Sequence, residues 1–234
     1  MKDLHPPFEH ELPVTRAAIA YARACHGAQT RDADGAPFIL HPLEVAMLLR
    51  GRGYDDEVVA AGALHDVLEK TPATVDDLDA RFGSRVARLV AAVSDPPGIA
   101  DYGARKAALR EQVARAGPEA QAIYAADKLA KARELRALAS RMHVALTDPT
   151  LRERLEHYQQ SLETLDRVLP DMPLVNQLRF ELWAMRQLPP DRTGERGRVS
   201  GAGRLPRQCM PSRRDLRRGF PATMGRSSTD GMPT

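Results

Sequence analysis

From about Val14 to Leu188 the apolar positions recur every three to four residues, and no stretch alternates with the period of two that a sheet demands. Thr15 to Gln29 carries Ala18, Ile19, Ala22 and Cys25 at helical spacing, and the loop from Thr30 to Pro37 ends it. His41-Pro42 opens a second helix, with proline in the first turn, where its missing N–H matters least. That helix runs through Val45, Leu48 and Leu49 to Gly51 or Gly53. Asp55 or Asp56 caps a third, which passes through Val58 to Leu64 and carries His65-Asp66. Thr74 opens a short helix ending near Phe82-Gly83, and another covers Ser84 to Val93. After the break at Pro96-Pro97-Gly98, helices are expected at about 102–116, 118–138, 148–168 and 173–187. The pattern predicts an all-α fold, a compact helical bundle.

Beyond Leu188 the period stops. Residues 189–234 are rich in Pro, Gly, Ser and Arg, which predicts a disordered basic C-terminal tail behind a domain spanning 1–188. Ten Arg against four Asp and Glu give the tail +6; the chain as a whole is +3, so residues 1–188 carry −3. The basic balance therefore belongs to the tail, and nucleic acid is not an expected partner of the folded domain. With 43% hydrophobic but only 5% aromatic residues, the core is expected to be aliphatic. No apolar run reaches the roughly 18 residues of a membrane span, and the N-terminus has no signal-peptide pattern. Cys25 and Cys209 stand far apart and suggest no disulfide framework, so a cytoplasmic location is expected. Nothing in the sequence sets the oligomeric state.

Within the apolar run Val58–Leu68 the pair His65-Asp66 is out of place, because buried polar groups need partners. A metal ion satisfies an imidazole and a carboxylate together. His41 lies at a helix start beside a loop, and Asp127 interrupts the apolar stretch Ile123–Leu129. Two imidazoles and two carboxylates suit Mn²⁺, Fe²⁺, Co²⁺ or Zn²⁺, and the oxygen ligands favour Mn²⁺. Taken singly, each of the four also fits an ordinary capped or surface role.

Several segments occur together in one order. They are His26-Gly27-Ala28-Gln29-Thr30-Arg31, Gly35 to Ala46 with His41-Pro42, Ala63 to Thr71 with His65-Asp66, Phe82-Gly83, and Ala126-Asp127-Lys128-Leu129. This series resembles the HD-type hydrolase domain of the RelA/SpoT homologues, most nearly the single-domain small alarmone hydrolases, over about residues 12–187. The resemblance implies an all-helical bundle and a Mn²⁺ ion held by His41, His65, Asp66 and Asp127. It also implies an enzyme, a metal-dependent phosphohydrolase removing the 3′-pyrophosphate of (p)ppGpp, with a nucleotide as its substrate partner. Glu69, one turn beyond His65-Asp66, is then the acid that orients the water. Arg31 matches a guanine- and phosphate-contacting position, and Arg105 and Lys106 match a basic pair beside the cleft. His26 is expected to be structural.

Two positions depart from the family pattern. Lys70 stands where the family has the second acid of a Glu-Asp pair, and Lys131 where it has an Asn near the substrate ribose. Both add positive charge. Lys70 either removes a carboxylate that positions the water or, with Lys131, contacts phosphate and retunes the substrate. The alternatives that follow are a hydrolase of another nucleotide phosphate, such as NADPH, or a catalytically silent nucleotide-binding module.

Overall fold

A computed structural model describes residues 11–31, 34–142 and 149–187. Among them the only regular elements are ten α-helices, plus one isolated bridge between Thr30 and Pro37. The helices are α1 (Pro13–His26), α2 (Leu40–Arg50), α3 (Asp56–Leu64), α4 (Val67–Lys70), α5 (Val75–Phe82), α6 (Ser84–Val93), α7 (Tyr102–Arg115), α8 (Pro118–Met142), α9 (Pro149–Val168) and α10 (Pro173–Arg186). The predicted all-α fold is the one found. The expected tail, 189–234, lies outside the described residues.

Two helices form the centre. Every residue of α3 from Val58 to Leu64 is buried, and so is every residue of α8 from Ala120 to Ala130. A helix segment buried on all sides must be wrapped by others. Helices α1, α2, α6 and α8 pack on α3, and α8 in turn meets α2, α6, α7, α9 and α10. Both acids at the start of α3 are used, in different ways. Asp55 caps its own helix by accepting from the Val58 amide at 3.1 Å. Asp56 accepts from the Val14 and Thr15 amides at 2.9 and 2.7 Å, and so caps α1 from another part of the chain. Thr74 and Asp77 form the expected capping box at α5.

Gly62 lies at the contact between α2 and α3. A Cβ there would lie 2.4 Å from Leu49 Cδ1 and 3.4 Å from Val45 Cγ1, so a larger residue would have to push the Leu49 side chain aside. This packing carries the start of α2, with His41, to the end of α3.

One local expectation fails. His65-Asp66 does not sit inside a continuous helix: α3 stops at Leu64 and α4 starts at Val67. Asp66, with φ −93° and ψ −5°, is the N-cap of α4, its carbonyl accepting from the Lys70 amide at 3.1 Å. Adjacent residues on one helix point about 100° apart. The turn instead lets both side chains reach the same point.

Candidate metal centre and cleft

His41, the second residue of α2, meets the α3–α4 turn and the middle of α8. Its Nε2 lies 3.2 Å from His65 Nε2, 3.1 Å from Asp127 Oδ1 and 3.7 Å from Asp66 Oδ2. His65 Nε2 is 3.3 Å from Asp127 Oδ1 and 3.5 Å from Asp66 Oδ2. All four residues are buried. His41, His65 and Asp127 form the tightest group, and Asp66 stands slightly further out.

The donor set fits a divalent cation. Ligand atoms about 2.1 Å from one ion stand about 3.0 Å apart at a right angle and about 3.4 Å apart at the tetrahedral angle. The separations among His41, His65 and Asp127, 3.1 to 3.3 Å, fall in that range, and Asp66, at 3.5 and 3.7 Å from the imidazoles, stands just beyond it. His65 Nδ1–H donates to the Gly62 carbonyl at 2.8 Å, which leaves the Nε2 lone pair aimed at His41 and Asp127. Asp66 Oδ2 is buried with no hydrogen-bond partner, an acceptor that a bound cation would satisfy.

Burial dominates the titration of His41, whose pKa falls to about 4 despite its contact with Asp127. His65 is buried as deeply, but Asp66 and Asp127 outweigh burial and hold its pKa above the ordinary value. Burial would raise the pKa values of both carboxylates. For Asp66, Lys131 and the two imidazoles reverse this; for Asp127, Lys128 and Lys131 do so first. Both acids are therefore held ionised, as metal ligands must be.

Beside the four lies a cleft of about 600 Å³, lined by His41 of that group and by Lys131, which contacts Asp127. Six cationic side chains line it, Arg31, Lys70, Lys106, Lys128, Lys131 and Arg154, against two acids, Glu69 and Glu134. Their sources are scattered: the α1–α2 loop, α4, α7, α8 and α9. Arg31 pairs with Asp34 and stands 3.8 Å from Glu134. Lys70 lies 5.1 Å from the Phe38 ring centroid. Lys106 is held by both Asp95 oxygens at 2.8 Å. Such an excess of positive charge suits a polyanion.

Most of the expected site residues meet here. The four expected ligands converge, and Arg31, Glu69, Lys70, Lys106 and Lys131 line the cleft beside them. Arg105 does not: it faces the neighbouring groove, donating to Asp95 and to the Ile99 and Ala100 carbonyls. Consecutive residues on a helix diverge, so α7 sends only Lys106 inward. Lys131 goes further in than expected, with Nζ 2.8 Å from Asp127 Oδ1. Glu69 accepts from the Asp95 amide at 2.8 Å, which ties α4 to the segment before α7. His26 stays apart from the ligands, bonded to Gln29 at 3.0 Å and packed on Phe38.

Sequence reasoning missed Lys128, Arg154, His157 and Tyr158. Lys128 had a signal: a second charge beside Asp127 in a buried stretch. It bonds Asp127 Oδ2 at 2.7 Å and lies 4.5 Å from the Tyr124 ring centroid. The α9 residues had none, because only the packing of α9 on α7 and α8 brings them to the cleft.

The HD domain family matches residues 18–152. The guanosine-3′,5′-bis(diphosphate) 3′-pyrophosphohydrolase of Aquifex aeolicus is 43% identical over 86 residues, 37% of this chain and 12% of that protein. The Escherichia coli bifunctional (p)ppGpp synthase/hydrolase SpoT is 44% identical over 86 residues, again 12% of its length. The chain thus spans about an eighth of these bacterial relatives. The human guanosine-3′,5′-bis(diphosphate) 3′-pyrophosphohydrolase MESH1 is 38% identical over 121 residues, 50% of this chain and 67% of that one. Among solved structures, a metazoan ortholog of SpoT described as hydrolysing ppGpp superposes with a TM-score of 0.64 at 25% identity, covering 79% of this chain and 98% of that one.

Proposed function

We propose that this chain, which belongs to the HD domain family, is a metal-dependent phosphohydrolase that removes the 3′-pyrophosphate of (p)ppGpp. The observation that carries the proposal is the convergence of His41, His65, Asp66 and Asp127 beside a cleft lined by cations. The similarity to MESH1 and to the solved SpoT ortholog supports the choice of substrate.

His41, His65, Asp66 and Asp127 hold a divalent ion, Mn²⁺ in this proposal because half of the ligands are carboxylates. When bound, that ion supplies Lewis-acid polarisation of a phosphate oxygen and a more acidic water. Glu69, with one oxygen bonded to the Asp95 amide, presents a carboxylate that orients the attacking water and takes its proton. Lys106, fixed by Asp95, and Arg31, fixed by Asp34, hold the substrate's phosphates in line. Lys70 adds a third cation to the lining. As water bonds to phosphorus, the bond from phosphorus to the 3′-oxygen breaks; that oxygen leaves with the nucleotide and takes up a proton, giving a 3′-hydroxyl and pyrophosphate.

A second reading has its own observation. Lys131 sits on Asp127, one of the proposed ligands, and with Lys70 it favours a retuned hydrolase of another nucleotide phosphate or a silent nucleotide-binding module. Among the described residues no helix is long and apolar enough to cross a membrane. With Cys25 a free thiol, the proposed setting is the cytoplasm.

The test is incubation of the purified protein and its Asp127→Ala variant with Mn²⁺ and a panel of (p)ppGpp, NADPH and other nucleotide phosphates. Release of pyrophosphate from (p)ppGpp by the wild type alone is the expected result. Turnover of another nucleotide only, or nucleotide binding without turnover, would replace this assignment with the second reading.

A further inference from the structure

Asp127 Oδ1 is contested. It faces both imidazoles, 3.1 Å from His41 Nε2 and 3.3 Å from His65 Nε2, and it also lies 2.8 Å from the Lys131 ammonium. The same ammonium stands 3.8 Å from Asp66 Oδ1. A primary amine thus neutralises the two carboxylates assigned above to the metal. An ion about 2.1 Å from Asp127 Oδ1 and an ammonium bonded to that same oxygen repel one another at short range in a poorly solvated site.

The second lysine on Asp127 behaves differently. Lys128 bonds the other oxygen, Oδ2, has only 4% of its side chain exposed, and rests on the Tyr124 ring. It is a fixed counter-charge that leaves Oδ1 available. Lys131 keeps 28% of its side chain exposed, lines the cleft, and hangs from a stem of four rotatable bonds one helical turn beyond Asp127. Both lysines line the cleft, but Lys131 is far the more exposed and is not seated on the Tyr124 ring as Lys128 is, so Lys131 is the one free to swing out.

We propose that Lys131 is the exchangeable counter-cation of the metal site. Its ammonium holds Asp127 and Asp66 until a divalent ion displaces it into the cleft, where it joins Lys70 and Lys106 in binding phosphate. Metal loading then does two things at once: it completes the metal centre and frees a cation for the anion. Binding of metal and of anion becomes positively coupled through one side chain. The proposal rests on the four-ligand assignment above and adds a competitor to it.

Titration of the metal-stripped full-length protein with Mn²⁺ tests it, comparing the wild type with Lys131→Gln. Removing the competitor should tighten Mn²⁺ binding by about tenfold or more, the scale on which groups contacting metal ligands act. Unchanged or weaker binding by a folded Lys131→Gln would overturn the proposal while leaving the ligand assignment intact. A wild type that binds no Mn²⁺ would sink both. A measurement on the wild type needs no variant. Acetic anhydride should label Lys131 severalfold faster with Mn²⁺ than without, while Lys128 stays protected, as read by peptide mass spectrometry. Labelling of Lys131 that Mn²⁺ slows or leaves unchanged would equally overturn the exchange.

Discussion

The Nδ1–H of His65 donates to the carbonyl of Gly62 at 2.8 Å, within the last turn of α3. This bond fixes the tautomer and ring orientation of a residue that lies beyond the end of the helix. It ties the metal centre to the glycine at the contact of α2 and α3. Changing His65 to Gln should keep the fold and lower metal content at least about tenfold, by metal analysis after dialysis. Full metal retention would remove His65 from the ligand set.

Glu69 is bound to the Asp95 amide through one oxygen. Glu69→Gln preserves an oxygen for that amide but cannot take a proton. Turnover should drop by about 10² to 10⁴, the usual contribution of a positioned general base, with Mn²⁺ affinity unaltered. A variant with wild-type kcat would move the base elsewhere in the cleft.

Lys70 is exposed and packs only its ammonium over Phe38, so its replacement disturbs no core contact. Lys70→Asp puts an acid beside Glu69, as in the family pattern. We expect faster (p)ppGpp turnover, with a weaker KM because a cation is lost. A slower kcat would show that Lys70 itself supports the reaction.

His157 accepts at Nδ1 from the Arg110 guanidinium at 2.9 Å, so it is neutral in the fold. Burial, then Lys128, Lys106 and Arg110, push its pKa down to about 2. An unfolded histidine binds a proton near 6.5, which the folded one refuses. The group therefore contributes stability fully above about pH 6.5, and this is lost as the pH falls from there toward 2, by at most about 1.4 kcal/mol per unit. His26 and His41 act with the same sign. Urea melts at about pH 7.5 and about pH 5 should show the wild type losing more stability than His157→Gln. Equal losses would show that His157 takes up no extra proton on unfolding.

The matched family region ends at 152 and α10 at Arg186. We propose that residues 1–188 form the hydrolase domain. A chain ending at Leu188 should then melt and turn over like the full-length protein. Loss of either property on truncation would assign residues 189–234 a part in the folded enzyme.

Much of this protein is legible in the chain itself. Helical periodicity, the caps at Asp55 and Thr74, and the polar residues stranded in apolar runs depend on neighbours within about four positions, and sequence displays those directly. That is why the helix order and the four candidate ligands could be named from the residues and their resemblance to a family. Side-chain direction is different, because it depends on where helices stop and how they pack. Only the packed structure put the His65-Asp66 pair in a turn rather than a helix, and turned Lys106 inward and Arg105 away. Only there do Arg154, His157 and Tyr158 of α9 reach a cleft lined also by residues far earlier in the chain. The same holds for Lys131. The sequence marked it as an added charge near the substrate, and the short reach from one turn of α8 back to Asp127 placed it on the metal ligands, since a buried carboxylate takes the nearest cation that can reach it.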